Sequence, residues 1–244
     1  FNGLIKELVT EQLLGDKTIT LKSNGNFDAC MTYNKKVYCI NKTWTNNRPI
    51  ISWFDTIAKS FVVTRDPGTL LVPDAVANEK YTITVNDDFV YLIRKTDESI
   101  TIQSYNIAKE EYLKPFVFQY KSMNYMITDT IIPIIFDKKL SISFLKRGSE
   151  YYQFNYNFDT TNAIYTIDKV EGVTPTNDIT GSCKWFYFDK MIHIFGGYNE
   201  NKIKHHFYNY RKMKVETEKE HSVAFTKDQF NKMCFLPYGD ECVI

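Results

Sequence analysis

At 244 residues the chain has room for one large all-β domain or two small ones, and 18 Phe and 17 Tyr against 10 Gly and 7 Pro exclude a disordered or collagen-like chain. Thirty basic against 29 acidic side chains leave a net charge of +1. No global field recruits nucleic acid or an anionic membrane, and no apolar run has the length that crosses a bilayer.

In chain order, Phe1-Asn2 opens the sequence, with Leu8 six residues past the Asn. Ala29 to Tyr33 read as a strand that reverses at Asn34-Lys35 into Lys36-Val37-Tyr38. A polar and bulky stretch from Lys42 to Ile51 leads to Phe54-Asp55, with Phe61 six past the Asp. The same order returns three times. Tyr81 to Asn86, Asp87-Asp88 and Phe89-Val90-Tyr91 lead to Tyr105-Asn106 and Tyr112. Ile131 to Phe136 and Asp137-Lys138-Lys139-Leu140 lead to Phe158-Asp159 and Tyr165. Lys184 to Phe188 and Asp189-Lys190-Met191-Ile192 lead, past a variable stretch from Gly197 to His206, to Tyr208-Asn209 and Val215. Met233 to Tyr238 and Gly239-Asp240 begin a fifth unit.

The turn markers step by 53, 50, 52 and 50 residues, and the aromatic-Asx markers by 53, 51, 53 and 50. Two independent markers with one period near fifty residues, each unit holding about four short strands, predict a single all-β domain, a five-bladed β-propeller. The blades fall at about 27–80, 81–128, 129–180 and 181–229, with the last formed by residues 230–244 plus 1–26. In this scheme the N-terminal strands (1–26) pair with the C-terminal hairpin (230–244) and close the ring, removing exposed strand edges. The Asx side chain is expected to cap a turn by accepting from backbone amides just ahead, after which the apolar residue six on returns to the sheet.

The segment Met191-Ile192-His193-Ile194-Phe195-Gly196-Gly197-Tyr198 with Tyr208-Asn209 resembles the kelch repeat. In the other units Asn41-Lys42, Arg94-Lys95 and Leu145-Lys146 replace the glycine pair, so the resemblance covers one repeat as a motif and the rest as rhythm. It implies kelch-like blades.

Chemistry is sparse. The chain carries no phosphate loop, no Gly-x-Ser-x-Gly and no Cys-x-x-Cys, so no catalytic residue, cofactor or metal is expected. His205 and His206 are adjacent and face opposite ways on a strand, and the histidines read as surface or loop residues. The basic run Lys202 to Lys214 reads as an alternating strand with a charged face, because Glu216, Glu218 and Glu220 follow at once. Paired positions around Asn34-Lys35 sum to 69, which sets Cys30 opposite Cys39 as a pair able to form a disulfide; with the sequon Asn41-Lys42-Thr43 this favours an oxidising, extracellular setting.

The binding candidates are loop residues: Trp44, Asn46, Asn47 and Arg48 in the first unit, Tyr198 and Asn199 in the fourth, while Trp53 reads as packed between blades. The expected function is a non-enzymatic propeller that engages a protein partner through these loops. The alternative is a carbohydrate-binding or glycoside-processing propeller, for which Asp28, Asp129 and Asp178, near the starts of opening hairpins, are the candidate carboxylates.

Overall fold

The computed structural model describes residues 27–41, 50–64, 79–137, 139–158, 163–173, 183–233, 236–238 and 241–243. The chain is all-β in its sheets and divides into two compact units, Phe1–Ser122 and Met123–Ile244. Each unit is built from antiparallel meanders of the propeller-blade type.

In the first unit, β1 (Phe27–Tyr33), β2 (Lys36–Asn41), β3 (Ile50–Asp55) and β4 (Ser60–Val63) pair in sequence order. The β1–β2 hairpin turns through Asn34 and Lys35 at φ 45° and 59°, the left-handed pair that a two-residue loop requires. The second meander comprises β5 (Lys80–Val85), β6 (Phe89–Lys95) and β7 (Ile100–Asn106), then β8 (Glu111–Tyr112) and β9 (Phe116–Phe118), which both pair with β7. Its fourth strand is thus broken at Leu113-Lys114-Pro115, where proline cannot donate to the ladder. The Gln103 side-chain amide donates to the Leu113 carbonyl at 2.6 Å and bridges the break. Between the two meanders lies a core of Tyr38, Ile40, Ile51, Ile83, Val85, Val90, Leu92 and Tyr105. Trp53 packs against it, its ring 5.8 Å from Tyr38 and 6.1 Å from Tyr105, as its reading between blades predicts.

In the second unit, β10 (Met126–Phe136), β11 (Lys139–Arg147), β12 (Glu150–Phe158) and β13 (Ala163–Lys169) form one meander. The next is β14 (Lys184–Phe188), β15 (Met191–Asn199), β16 (Lys202–Asn209) and β17 (Lys214–Ser222). A short helix α1 (Lys227–Lys232), closed by a Thr226/Gln229 capping box, leads to the hairpin β18 (Leu236–Tyr238) and β19 (Glu241–Val243). Ile132, Ile134, Phe144, Ile192, Ile194, Tyr208 and Tyr210 form the core between the two meanders. A polar chain crosses it. The Tyr208 hydroxyl donates to Gln153, whose amide nitrogen donates to Asn155 Oδ1 at 2.8 Å and to the Tyr210 carbonyl at 3.1 Å. Asn155 in turn donates to Asp168 at 2.9 Å, so the buried amide is tied at both ends.

Two expectations are corrected. Four complete blade sheets stand among the described residues where the period predicts five, because the fifth unit contributes only the two-stranded β18–β19 sheet. The residues assigned to complete it, 1–26, lie outside the described residues. The third aromatic-Asx marker is Tyr156-Asn157 rather than Phe158-Asp159: Tyr156 pairs with Leu140 as Phe54 does with Val37, Tyr105 with Val90 and Tyr208 with Ile192. The residue that returns to the sheet is confirmed in all four, with Phe61, Tyr112, Tyr165 and Val215 opposite Phe54, Tyr105, Tyr156 and Tyr208.

The second unit's blades are also tied by Gly172. The Glu171 amide donates to the Met213 carbonyl at 2.8 Å, the Val215 amide donates to the Glu171 carbonyl at 2.9 Å, and Gly172 adopts φ 76° where a Cβ would lie 2.3 Å from the Val215 oxygen. Gly172→Ala therefore loses at least ~2 kcal/mol in urea unfolding, from left-handed strain plus the clash with backbone. Gly148→Ala, at φ 62° with no atom within 4 Å of its Cβ, loses only about 1 kcal/mol.

Candidate functional site

Trp44, Asn46, Asn47 and Arg48 lie outside the described residues. Tyr198 is half-buried: its hydroxyl meets the Phe225 carbonyl at 2.6 Å and Asn201 Oδ1 at 2.8 Å, and its ring stands 6.3 Å from those of Phe225 and Phe230. These contacts anchor the segment around α1. Asn199 ends β15 opposite Lys202, with Glu200 and Asn201 forming the turn at φ 45° and 60°. The stretch from Gly197 to His206, expected as a variable loop, is therefore mostly strand and tight turn.

Cys30 and Cys39 are Cα partners, as the pairing arithmetic predicts, and their sulfurs are 3.3 Å apart as hydrogen-bonded thiols. That bond lowers the Cys30 pKa, while the same bond and then burial push Cys39 upward.

The histidines are strand residues, not loop residues. His205 and His206 are both buried and, being adjacent on β16, face opposite ways. The basic run is neutralised across the sheet: Lys202 meets Glu220 at 2.7 Å and Lys204 meets Glu218 at 3.1 Å, with Lys212 and Glu216 paired at 3.0 Å. A solvated charged face accounts for it.

The carboxylates are placed with more consequence. β1 advances two residues from Phe27 to Ala29 while β2 moves one from Asn41 to Ile40, so Asp28 is the extra residue of a β-bulge. β10 advances five residues from Ile127 to Ile132 while β11 moves two, and Asp129 lies within that irregularity. Bulges re-aim side chains and gather beside active sites. Asp178 lies outside the described residues.

A fourth acidic residue was not singled out by sequence reasoning. Glu79 immediately precedes β5, and its Oε2 accepts from Arg94 Nε at 3.0 Å and Nη2 at 2.8 Å. The two side chains are only 8% and 4% exposed. The available signal is Arg94 itself, which closes the apolar run Phe89-Val90-Tyr91-Leu92-Ile93; with Tyr81 opposite Arg94, Glu79 stands diagonally across the hairpin.

Within the first unit β1 lies against β5. At their far ends the Tyr33 hydroxyl donates to Asp87 Oδ1 at 2.7 Å, so the strands run the same way and begin at the same end. Asp28 and Glu79 mark that end.

No family model matches the chain, and no curated protein sequence matches it. Similar solved structures include a Bacteroides ovatus xyloglucan PUL GH43B protein, with TM-score 0.47 and 9% identity over 80% of this chain and 40% of that one. A GH43 endo-arabinanase from Bacillus licheniformis has TM-score 0.43 and 9% identity over 86% of this chain and 97% of that one. A further glycoside hydrolase has TM-score 0.46 and 12% identity over 89% and 56%. The chain thus spans 40% of the length of the first of these. The kelch likeness, one repeat as a motif and the others as rhythm, is not supported by any family model. The expectation of a non-enzymatic scaffold for a protein partner is corrected: the similar structures are named as GH43 or glycoside hydrolase proteins, and none is named as a protein-binding scaffold.

Removing one partner of the Glu79–Arg94 pair strands a buried charge, so Arg94→Met lowers the unfolding free energy by about 3–5 kcal/mol, and the double change Glu79→Met with Arg94→Met recovers most of it. Oxidised glutathione joins Cys30 to Cys39, the thiols giving up two electrons and two protons to the glutathione disulfide. Thiol titration of the unfolded protein then shows both lost together with no glutathione retained by mass, whereas in Cys39→Ser any thiol lost at Cys30 appears as a glutathione mixed disulfide.

Proposed function

We propose that this chain is a carbohydrate-handling propeller whose first unit binds glycan at the end where β1 and β5 begin, with a glycosidic bond as the group acted on. The observation that carries the reading is one pair of acidic residues: Glu79, buried and held by Arg94 at the start of β5, and Asp28, in the bulge at the start of the neighbouring β1. Glycoside hydrolysis uses two carboxylic residues that flank the bond, one handling the proton of the leaving oxygen, the other activating water or attacking the sugar. Carboxylate oxygens also accept hydrogen bonds from sugar hydroxyls, which gives the same pair a role in binding. In this reading Arg94 is a positioning residue. It fixes the Glu79 carboxylate in one rotamer, and the bulge sets the Asp28 backbone at the start of β1.

A panel of aryl glycosides and of α- and β-linked oligosaccharides tests the proposal. At least one oligosaccharide raises the melting temperature of the wild-type protein in a concentration-dependent way. Asp28→Asn and Glu79→Gln lower kcat on the substrate found by about a hundredfold or more. A panel that neither shifts the melting temperature nor releases a product would sink the reading.

A further inference from the structure

Three histidines line up on one face of the β14–β17 sheet. Phe195 pairs with His205, His193 with Phe207, His205 with Lys219 and Ile203 with His221, so His193, His205 and His221 descend diagonally across β15, β16 and β17. His193 Nδ1 is 3.0 Å from His205 Nε2, and His205 Nδ1 is 3.3 Å from His221 Nε2. Among the described residues no carboxylate bridges either gap. Rings fix the middle member: His205 stacks between Phe195 and Phe207, each 4.1 Å away between centroids. His193 stacks on Phe186 at 5.0 Å, with the Phe188 backbone as a further hydrogen-bond partner.

A row of imidazoles so connected holds one hydrogen between each adjacent pair of nitrogens. Neutral His205 has one N–H and one lone pair, so it donates into one gap and accepts in the other. Replacing the proton of the His193 gap by a metal ion leaves the rest of the row satisfied: His205 binds through Nε2 and donates Nδ1–H to His221. That is the outer-shell arrangement that orients metal-ligating histidines elsewhere.

We propose that His193 Nδ1 and His205 Nε2 form a copper(II) site with His221 as the positioning residue. Two nitrogens 3.0 Å apart, each about 2.0–2.1 Å from one ion, subtend about 95°. This is a cis angle of a tetragonal centre rather than a tetrahedral angle, and imidazole with water completes such a centre for copper(II), the strongest binder of the divalent first-row series. No three donors converge on one point among the described residues, so water supplies the remaining positions. The ring of His193 turns about its broad second torsion to bring its lone pair onto the ion, while stacking holds His205 still. The nearby charges are Asp189, which acts on His193, and Lys219, whose ammonium sits 5.2 Å above the Phe207 ring.

Copper(II) titration of the full chain at neutral pH, followed by electron paramagnetic resonance and competition with a weak chelator, tests this site. A single tetragonal copper signal with nitrogen splitting from two imidazoles is expected. His193→Phe and His205→Phe, which retain the aromatic stacks, weaken binding at least about tenfold, the loss of one nitrogen ligand, and His221→Gln weakens it less. Copper binding in His193→Phe equal to the wild type overturns the proposal. A second measurement needs no variant: copper protects His193 and His205 of the wild-type protein from acylation by diethyl pyrocarbonate, read by peptide mass, and unprotected rings overturn the site as surely. Neither readout depends on glycan.

Discussion

Three of the blades depend on one short-range interaction, the Asx side chain that closes the turn between the third and fourth strands. Asp55 Oδ1 accepts from the amides of Ile57 and Ala58 at 2.9 Å each, Asn106 Oδ1 from Lys109 at 2.9 Å, and Asn209 Oδ1 from Lys212 at 3.1 Å. Those two amide bonds also hold the Asp55 carboxyl below the usual carboxylate range. Four residues past each Asx stands a left-handed residue, Lys59, Glu110 or Met213, at φ 52°, 54° and 52°. None is glycine, and each carries a local cost of about 1–2 kcal/mol. The cap and the reunited ladder offset it, and in these three blades the chain is returned so that the residue six past the Asx faces the aromatic before it. The core rings of Tyr105 and Tyr208 sit where this reversal puts them.

The caps explain why so much of the architecture was legible. An Asx cap and a two-residue hairpin act over a few residues, and their signatures survive in sequence even when the strands between them vary. The Cys30–Cys39 register follows from counting outward from Asn34-Lys35. The counting failed in the third blade because Tyr156-Asn157-Phe158-Asp159 holds the marker twice over, and only the pairing of Tyr156 with Leu140 chooses between them. It failed again at Gly197 to His206, where polar and basic residues read as loop. Those residues alternate across a sheet whose charged side is satisfied by Glu218 and Glu220 from the next strand, a long-range fact that local polarity does not carry.

The candidate carboxylates divide the same way. Asp28 and Asp129 were visible by position in the repeat, and the structure adds that both interrupt their ladders. Glu79 was not visible, since the loop Asn78-Glu79-Lys80 reads as solvated and its burial is set by Arg94 from across a hairpin. The ion pair differs in kind from the surface pairs of β16 and β17. Exposed pairs such as Lys202–Glu220 are screened by solvent and tolerate loss, whereas a buried pair is stable only as a pair. A carboxylate kept at such a site has a fixed direction, which is what binding or proton transfer requires of it.

Glycine at one position decides which histidines meet. Gly196 pairs with Lys204, positions that sum to 400, but Asn199 pairs with Lys202, which sum to 401. The extra residue is absorbed beside Gly197, whose φ of 62° is that of a glycine bulge. Were the register of the Glu200-Asn201 turn to run on without that bulge, every residue of β16 would change faces relative to β15. His193 would then share a face with His206 and Tyr208, and His205 would stand with Ile192 and Ile194 in the direction of the core. With the bulge, His206 and Tyr208 turn to the side of Ile194, and His205 slots between Phe195 and Phe207 within reach of His193. The glycine pair that gave this repeat its kelch-like appearance is therefore also the device that aligns the imidazoles, and a side chain at Gly197 acts on the row through register before it touches any ring.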